Sequence, residues 1–214
     1  MSIADNALQT LPELDAVAIE TQVRDGDLLL GSGDHAFSRL IRWATKSPWS
    51  HVAMAMRVDA IGRVMVLESV EKFGVRTLPF QTYVFGEKGA HPYRGKIVLA
   101  RNAKVAAAPR DDILKVARFA VDQLCDPFDP AEVLKIATRI ALGSLNQKMP
   151  EAMKPRGEYI CSEYVAACLE QIGVRPPWDG RGFIAPCDFA ADPDVSAIAR
   201  VRMPLPGETQ PKPK

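Results

Sequence analysis

Residues 47–70 read SPWSHVAMAMRVDAIGRVMVLESV and contain two runs of β-favouring residues around a short loop. The first run is HVAMAMRV at 51–58, the second is RVMVLESV at 63–70, and the loop between them includes Gly62. Two such runs around a short glycine-containing loop predict a β-hairpin.

The register of this hairpin decides which side chains meet. If Val58 pairs with Arg63, then Glu68 becomes the diagonal neighbour of His51 on the same face of the two strands. A shift of two residues would place Glu68 directly opposite His51, so a carboxylate reaches the imidazole in both cases. A one-residue slip would turn Glu68 away from His51 and present Ser69 or Glu71 to it instead.

The rest of the chain divides into strands followed by helices. Further strands are predicted at 28–30, 74–79 and 96–102. Helices are predicted in the N-terminal segment LPELDAVAIETQV and at 36–46, 110–125, 129–143 and 160–172. Strands first and helices later predict an α+β fold.

Composition is that of an ordinary globular protein. The 214 residues are 47% hydrophobic and carry a net charge of +1, without a basic run that would favour nucleic-acid binding. We expect an N-terminal helical extension at 1–23, one domain at 24–203 and a Pro-rich flexible tail at 204–214. The oligomeric state is open.

The N-terminus bears on the cellular location of the protein, and the spacing of the cysteines bears on whether it binds a metal. The N-terminus lacks a basic region and an apolar core typical of a signal peptide, and no apolar stretch approaches the length of a transmembrane segment. We therefore expect a cytoplasmic protein, or one delivered by a phage or a secretion machine. The four cysteines include no CxxC pair, so we expect free thiols and neither a metal nor another cofactor.

One cysteine begins a predicted helix. An apolar stripe with helical spacing starts at Cys161 and continues through Tyr164, Val165, Cys168, Leu169 and Ile172. A helix N-terminus offers unpaired N–H groups and a partial positive charge, which favour a thiolate and can stabilise an oxyanion. Cys161 is therefore either a nucleophile or an ordinary buried cysteine, whereas Cys168 is predicted to belong to the core.

A cysteine nucleophile needs a base, and the chain has three histidines, His35, His51 and His91. His51 opens a predicted strand, whereas the other two lie in loops rich in glycine or proline. Because catalytic geometry favours rigid elements, His51 is the first candidate. The alternative is a strand histidine bonded to the backbone, with Glu68 a solvated residue.

The segments at 47–54 and 159–163, SPWSHVAM and YICSE, together resemble the histidine and cysteine motifs of permuted NlpC-type hydrolases. The sequence GDLL at 26–29 is similar to the opening strand of the same group, and the closest members are the YiiX/YebB-like papain-fold hydrolases. Lecithin:retinol acyltransferase-like proteins are more distant relatives. The resemblance covers about residues 24 to 190.

The resemblance implies a circularly permuted papain-like (NlpC-type) fold, with a small antiparallel sheet or barrel packed against helices. The order histidine, acidic residue, cysteine is the reverse of the papain order. It implies Cys161 as nucleophile, His51 as base and Glu68 as the residue that orients His51. Cys187, in a Pro-x-Asp segment, is implied to be structural.

The resemblance leaves the oxyanion donor open. Relatives often have a Tyr-Asp pair after the first long helix, but this chain has Phe128 before Asp129. The remaining candidates for oxyanion or substrate contacts are Tyr159, Ser162 and Trp49, although Trp49 is also a plausible core residue.

The implied reaction is hydrolysis of an amide or ester through a thioester. The substrate would be a small molecule, a cell-wall peptide or isopeptide, or a lipid-like acyl compound. An acyltransferase that uses an amine acceptor is open, and so is a non-catalytic lipid- or peptide-binding module on the same fold.

Overall fold

The computed structural model describes residues 3, 10–71, 73–86, 92–127, 160–177, 184–203, 205 and 208. These residues form one mixed sheet with helices on both faces. The elements in chain order are β1 (Glu13–Leu14), α1 (Ala16–Gln22), β2 (Asp27–Gly33), α2 (Ala36–Thr45), β3 (His51–Val58), a 3-10 turn (Asp59–Ile61), β4 (Arg63–Val70), β5 (Gly74–Pro79), α3 (Phe80–Phe85), β6 (Gly95–Asn102), α4 (Ala103–Ala106), α5 (Arg110–Asp122), α6 (Cys161–Glu170), α7 (Pro186–Ala191) and β7 (Val195–Val201).

The sheet has seven strands in the order β1-β7-β6-β2-β3-β4-β5. Its pairs are antiparallel except for the edge pair of β1 and β7, which is parallel. The strands that carry His51 and Glu68 therefore lie side by side, with β2 and β5 as their outer neighbours.

Both faces of the sheet are covered by apolar side chains. One face packs against α5, α6 and α7 through residues such as Leu30 and Val52. The other face packs against α1 and α3 through residues such as Leu29 and Ala53. Burial on both faces explains why the central strands are almost wholly apolar rather than alternating.

The predicted β3–β4 hairpin is present, and of the registers left open it has the first, in which Val58 pairs with Arg63 and the ladder continues to Met54 opposite Leu67. Gly62 closes the loop with a φ of +60°. Beyond Met54 the two strands are no longer paired with each other. Each keeps its outer partner, β3 with β2 and β4 with β5, so the sheet opens between them at the end that carries His51.

The N-terminal segment differs from the single helix that its sequence predicts. Leu14 pairs with Val201 in β1, and the helix begins only after Asp15, whose carboxylate accepts a hydrogen bond from the Ala18 N–H at 2.8 Å. An aspartate in this position stops the strand and caps the helix. Ile19 is then fully buried against the sheet.

The predicted helices at 110–125 and 160–172 correspond to α5 and α6, and each is three residues shorter than expected. The predicted helix at 129–143 lies outside the described residues. Five elements were not predicted: β1, α3, α4, α7 and β7. Cys168 is buried within α6 as expected.

Candidate active site

Cys161 is the first residue of α6, and this helix packs against β3 and β4. The thiol lies where those strands separate, and its Sγ accepts hydrogen bonds from the backbone N–H groups of Val52 and Ser162. The hydroxyl of Tyr164 donates to the carbonyl of Ala120 at 2.8 Å and so ties α6 to α5. The opening of the sheet thus frees an N–H group for the sulfur, while packing fixes the helix.

His51 is the first residue of β3 and lies between a thiol and a carboxylate. Its Nε2 is 2.8 Å from Oε2 of Glu68, and its side chain also hydrogen-bonds to Cys161. Because Nε2 is engaged by Glu68, Nδ1 is the nitrogen left for the sulfur. The imidazole is 16% exposed, so one edge remains within reach of a ligand.

Glu68 is held from two sides in a nearly closed environment, since its side chain is 2% exposed. Arg76 lies directly opposite it on β5, and its Nε and Nη2 are 2.8 Å and 2.6 Å from Oε1. The ring of Phe73 lies 4.7 Å from the Arg76 guanidinium carbon. One carboxylate oxygen therefore binds the arginine and the other binds the histidine.

The hydrogen-bonded row of Cys161, His51 and Glu68 stabilises an ion pair between Cys161 and His51. Burial alone would lower the pKa of His51, but the charge and hydrogen bond of Cys161, with those of Glu68, raise it to about 10. Burial alone would raise the pKa of Cys161, but the charge and hydrogen bond of His51 and the two backbone N–H groups lower it. Burial also opposes ionisation of Glu68, whose pKa is nonetheless lowered by His51 and Arg76. The site favours a thiolate beside an imidazolium.

Two tyrosines pack on the face of the sheet that carries His51 and Glu68. The ring centroids of Tyr83 and Tyr93 are 5.6 Å apart. Burial raises the pKa of both phenols, and the negative charges of Glu68 and Cys161 raise it further. A Cβ added to Gly31, the strand partner of His51, would lie 2.4 Å from the Tyr93 hydroxyl oxygen. Glycine at 31 therefore lets this hydroxyl sit beside the histidine.

The structure brings together Cys161, His51 and Glu68. Ser162 lies beside them, but its hydroxyl donates to the carbonyl of Ile184 at 2.6 Å, so its backbone N–H is the group that faces the sulfur.

The other candidates lie elsewhere. Trp49 is 1% exposed, and its indole N–H donates to the carbonyl of Ile3 at 3.1 Å, so it belongs to the core instead of a substrate surface. Cys187 is half-buried near the start of α7. His35 is an exposed residue before α2, and Tyr159 and His91 lie outside the described residues.

Arg76 and Tyr93 are the residues that sequence reasoning missed. The signal for Arg76 was available: if Val70 pairs with Gly74 across the turn after β4, Arg76 falls opposite Glu68, as it does. Tyr93 carries no comparable signal, because it precedes β6 and is brought to Gly31 by the pairing of β6 with β2.

Comparison with solved structures shows a likeness of fold. The crystal structure of the metalloprotein yiiX from Escherichia coli O157:H7 superposes with a TM-score of 0.60 at 18% sequence identity, over 86% of this chain and 99% of that one. This chain has a yiiX-like fold. No protein-family model matches the sequence, and no curated protein matches it significantly.

The yiiX likeness extends over nearly the whole of that protein, so both the sheet and the helices around it are shared. At this level of identity it concerns the fold alone. Among the described residues no helix is both long enough and apolar enough to cross a membrane.

Proposed function

We propose that this protein is a cysteine hydrolase that cleaves an amide or ester bond. The observation that carries the proposal is the row of hydrogen bonds from Cys161 through His51 to the buried carboxylate of Glu68. A nucleophile, a base and a group that orients the base are the parts that nucleophilic acyl transfer requires. The order of these residues along the chain supports a circularly permuted papain-like architecture.

The row accounts for each proton in the reaction. The Cys161 thiolate attacks the acyl carbon, and the N–H groups at the start of α6 stabilise the charge on the carbonyl oxygen. The imidazolium of His51 donates its proton to the departing nitrogen or oxygen as the bond to the acyl carbon breaks, which leaves a thioester on Cys161. His51 then takes a proton from water, which attacks the thioester and releases the acid and the free thiolate.

The yiiX structure is described as that of a metalloprotein, so a metal ion is a second possible occupant of the site in this chain. Among the described residues no group of three or more histidine, cysteine, aspartate or glutamate side chains is arranged for this. Cys161, His51 and Glu68 lie in a row, and both oxygens of Glu68 are bound by His51 and Arg76. These donors do not converge on a common point, so the mechanism contains no metal step.

The substrate class stays a proposal with two main branches. Likeness to NlpC-type enzymes favours peptide or isopeptide bonds, whereas likeness to acyltransferases favours lipid amides or esters. Attack on the thioester by an amine in place of water would make the same site an acyltransferase.

The test is the reactivity of the thiol. The native protein is treated with limiting iodoacetamide between about pH 5 and pH 9, and the labelled cysteine is located by mass spectrometry. Cys187, half-buried like Cys161, and exposed Cys125 serve as internal controls. We expect fast labelling of Cys161 that persists below pH 8 and is lost in His51→Ala. Slow labelling of several cysteines with an ordinary thiol profile would refute the proposal and favour a binding protein.

A further inference from the structure

Arg42 has donors that the described part of the chain does not use. It lies in the last turn of α2, and its Nη1 donates to the Ser32 hydroxyl at 3.3 Å. Its Nε is buried without an acceptor among the described residues. No carboxylate of these residues forms an ion pair with it, Asp34 included. Of the five N–H donors of a guanidinium, the described residues engage the one on Nη1 that binds Ser32.

The position of Arg42 is fixed by tight packing of α2 on the end of β2. A Cβ added to Gly33 would lie 2.7 Å from the Ser38 hydroxyl oxygen, so the helix approaches the strand as closely as glycine permits. The Gly33 N–H also donates to the Ser50 hydroxyl at 2.9 Å. The strand end that holds Ser32 is therefore anchored on both sides.

This strand end is next to the reactive thiol. Leu30 on β2 pairs with Val52 on β3, whose N–H donates to Cys161. Ser32 lies two residues beyond Leu30. A strand spacing of about 4.8 Å and a rise of about 3.3 Å per residue therefore place the Cα of Ser32 roughly 8 Å from the Cα of Val52. The charges of both Arg42 and Cys161 also act on the phenol of Tyr93. Arg42 and the thiol thus border one region.

We propose that Arg42 is the recognition residue for an anionic oxygen group of the substrate, a carboxylate or a phosphate. Arginine suits this role because its planar fork matches both oxyanions in geometry and charge. The inference rests on the proposed function and adds a substrate class to it: acyl compounds with a negative charge near the bond that is cleaved.

The test compares two alkylating reagents of nearly equal size, anionic iodoacetate and neutral iodoacetamide, at Cys161. Their rate ratio is measured in wild type, Arg42→Gln, Arg42→Lys and Arg39→Gln. Arg39 is the matched control, since it is exposed on the same helix and its side chain donates to the carbonyl of Asp34. The iodoacetamide rate shows in each variant whether the thiol site itself is intact.

We expect the iodoacetate to iodoacetamide ratio to fall about tenfold in Arg42→Gln, the value of one charge-assisted hydrogen bond. The ratio should fall less in Arg42→Lys, and in Arg39→Gln it should stay within about twofold of the wild-type ratio. The loss in Arg42→Gln should persist in 0.5 M NaCl, because a contact is screened less than a long-range field. An unchanged ratio, or an equal fall in Arg39→Gln, would overturn the proposal.

A second measurement identifies the source of the anion. Acetate and inorganic phosphate are each tested for protection of Cys161 against iodoacetamide in wild type and in Arg42→Gln. Stronger protection by acetate supports a carboxylate substrate, and stronger protection by phosphate supports a phosphate ester. Slow labelling of wild-type Cys161 by both reagents would instead refute the proposed function, and this inference with it.

Discussion

Replacing Arg76 by methionine should lower the reactivity of Cys161, although Arg76 contacts Glu68 and not the thiol. The substitution keeps an unbranched apolar stem but removes both hydrogen bonds to Oε1 of Glu68. Burial then opposes ionisation of Glu68 with less to offset it, so the pKa of this carboxyl rises. A protonated Glu68 no longer stabilises the imidazolium of His51, and the pKa of the Cys161 thiol rises in turn.

The size of this effect follows from burial and geometry. A hydrogen bond to a charged group contributes about 1.5–3 kcal/mol. Glu68 is 2% exposed but Arg76 is 34% exposed, so water can partly replace the lost donor. We therefore take about 1.5 kcal/mol for the loss of folding free energy, or a fall in Tm of about 5 °C for a chain of this length. The labelling rate of Cys161 at pH 6 should fall by about tenfold.

The assay is iodoacetamide labelling of Cys161 against pH, together with thermal unfolding. Arg118→Met is the matched control, since Arg118 is an exposed residue of α5 and loses the same charge. Arg76→Lys should restore part of the rate, because it keeps the charge without the two-pronged geometry. If the pH profile of Arg76→Met coincides with that of Arg118→Met, then Arg76 does not set the ionisation of the row.

Three further outcomes are expected. The kcat/KM for any substrate should fall above about pH 10, where His51 loses the proton it donates; a profile flat to pH 11 would contradict this role. Gly31→Ala should slow labelling because the new Cβ meets the Tyr93 hydroxyl, and Tyr93→Phe should restore the rate in the double variant; independent, additive losses would show that the contact is unimportant. Glu68 has a lowered pKa when folded, so its stabilising contribution is present above about pH 4.5 and lost as the pH falls. Unfolding measured from about pH 5 down to about pH 3 should therefore show a smaller loss of stability in Glu68→Gln than in wild type.

The β3–β4 hairpin could be predicted because two β-favouring runs flank a short loop with Gly62, whereas its register is known only from the structure. The sequence of β7, VSAIARV, gave no such signal, since its partners are β1 and β6, from distant parts of the chain. The N-terminal segment LPELDAVAIETQV is predicted to be one short helix. Pairing of Leu14 with Val201 outweighs that preference, as tertiary contacts commonly do for short segments.

The meeting of Cys161 with His51 could not be derived from spacing, because it depends on how α6 packs across the sheet. The local sequence predicts that each of the two residues begins an element, and the resemblance to NlpC-type hydrolases implies that they form one site. The separation of β3 from β4 beyond Met54 was not visible in the sequence at all. It matters because it gives the sulfur access to the Val52 N–H.

The position of Arg76 follows from the same strand-pairing rule that places Glu68 beside His51. Pairing across the turn after β4 places it opposite Glu68, just as the first hairpin places Glu68 beside His51. The row then alternates in charge from the guanidinium to the carboxylate, the imidazolium and the thiolate. Each charge stabilises its neighbour, and a carboxylate that is 2% exposed stays ionised only because it has a cation on both sides. A glutamate in a strand with an arginine opposite is usually a surface pair, and burial on the face of the sheet that carries α3 and the two tyrosines makes this one part of the candidate site.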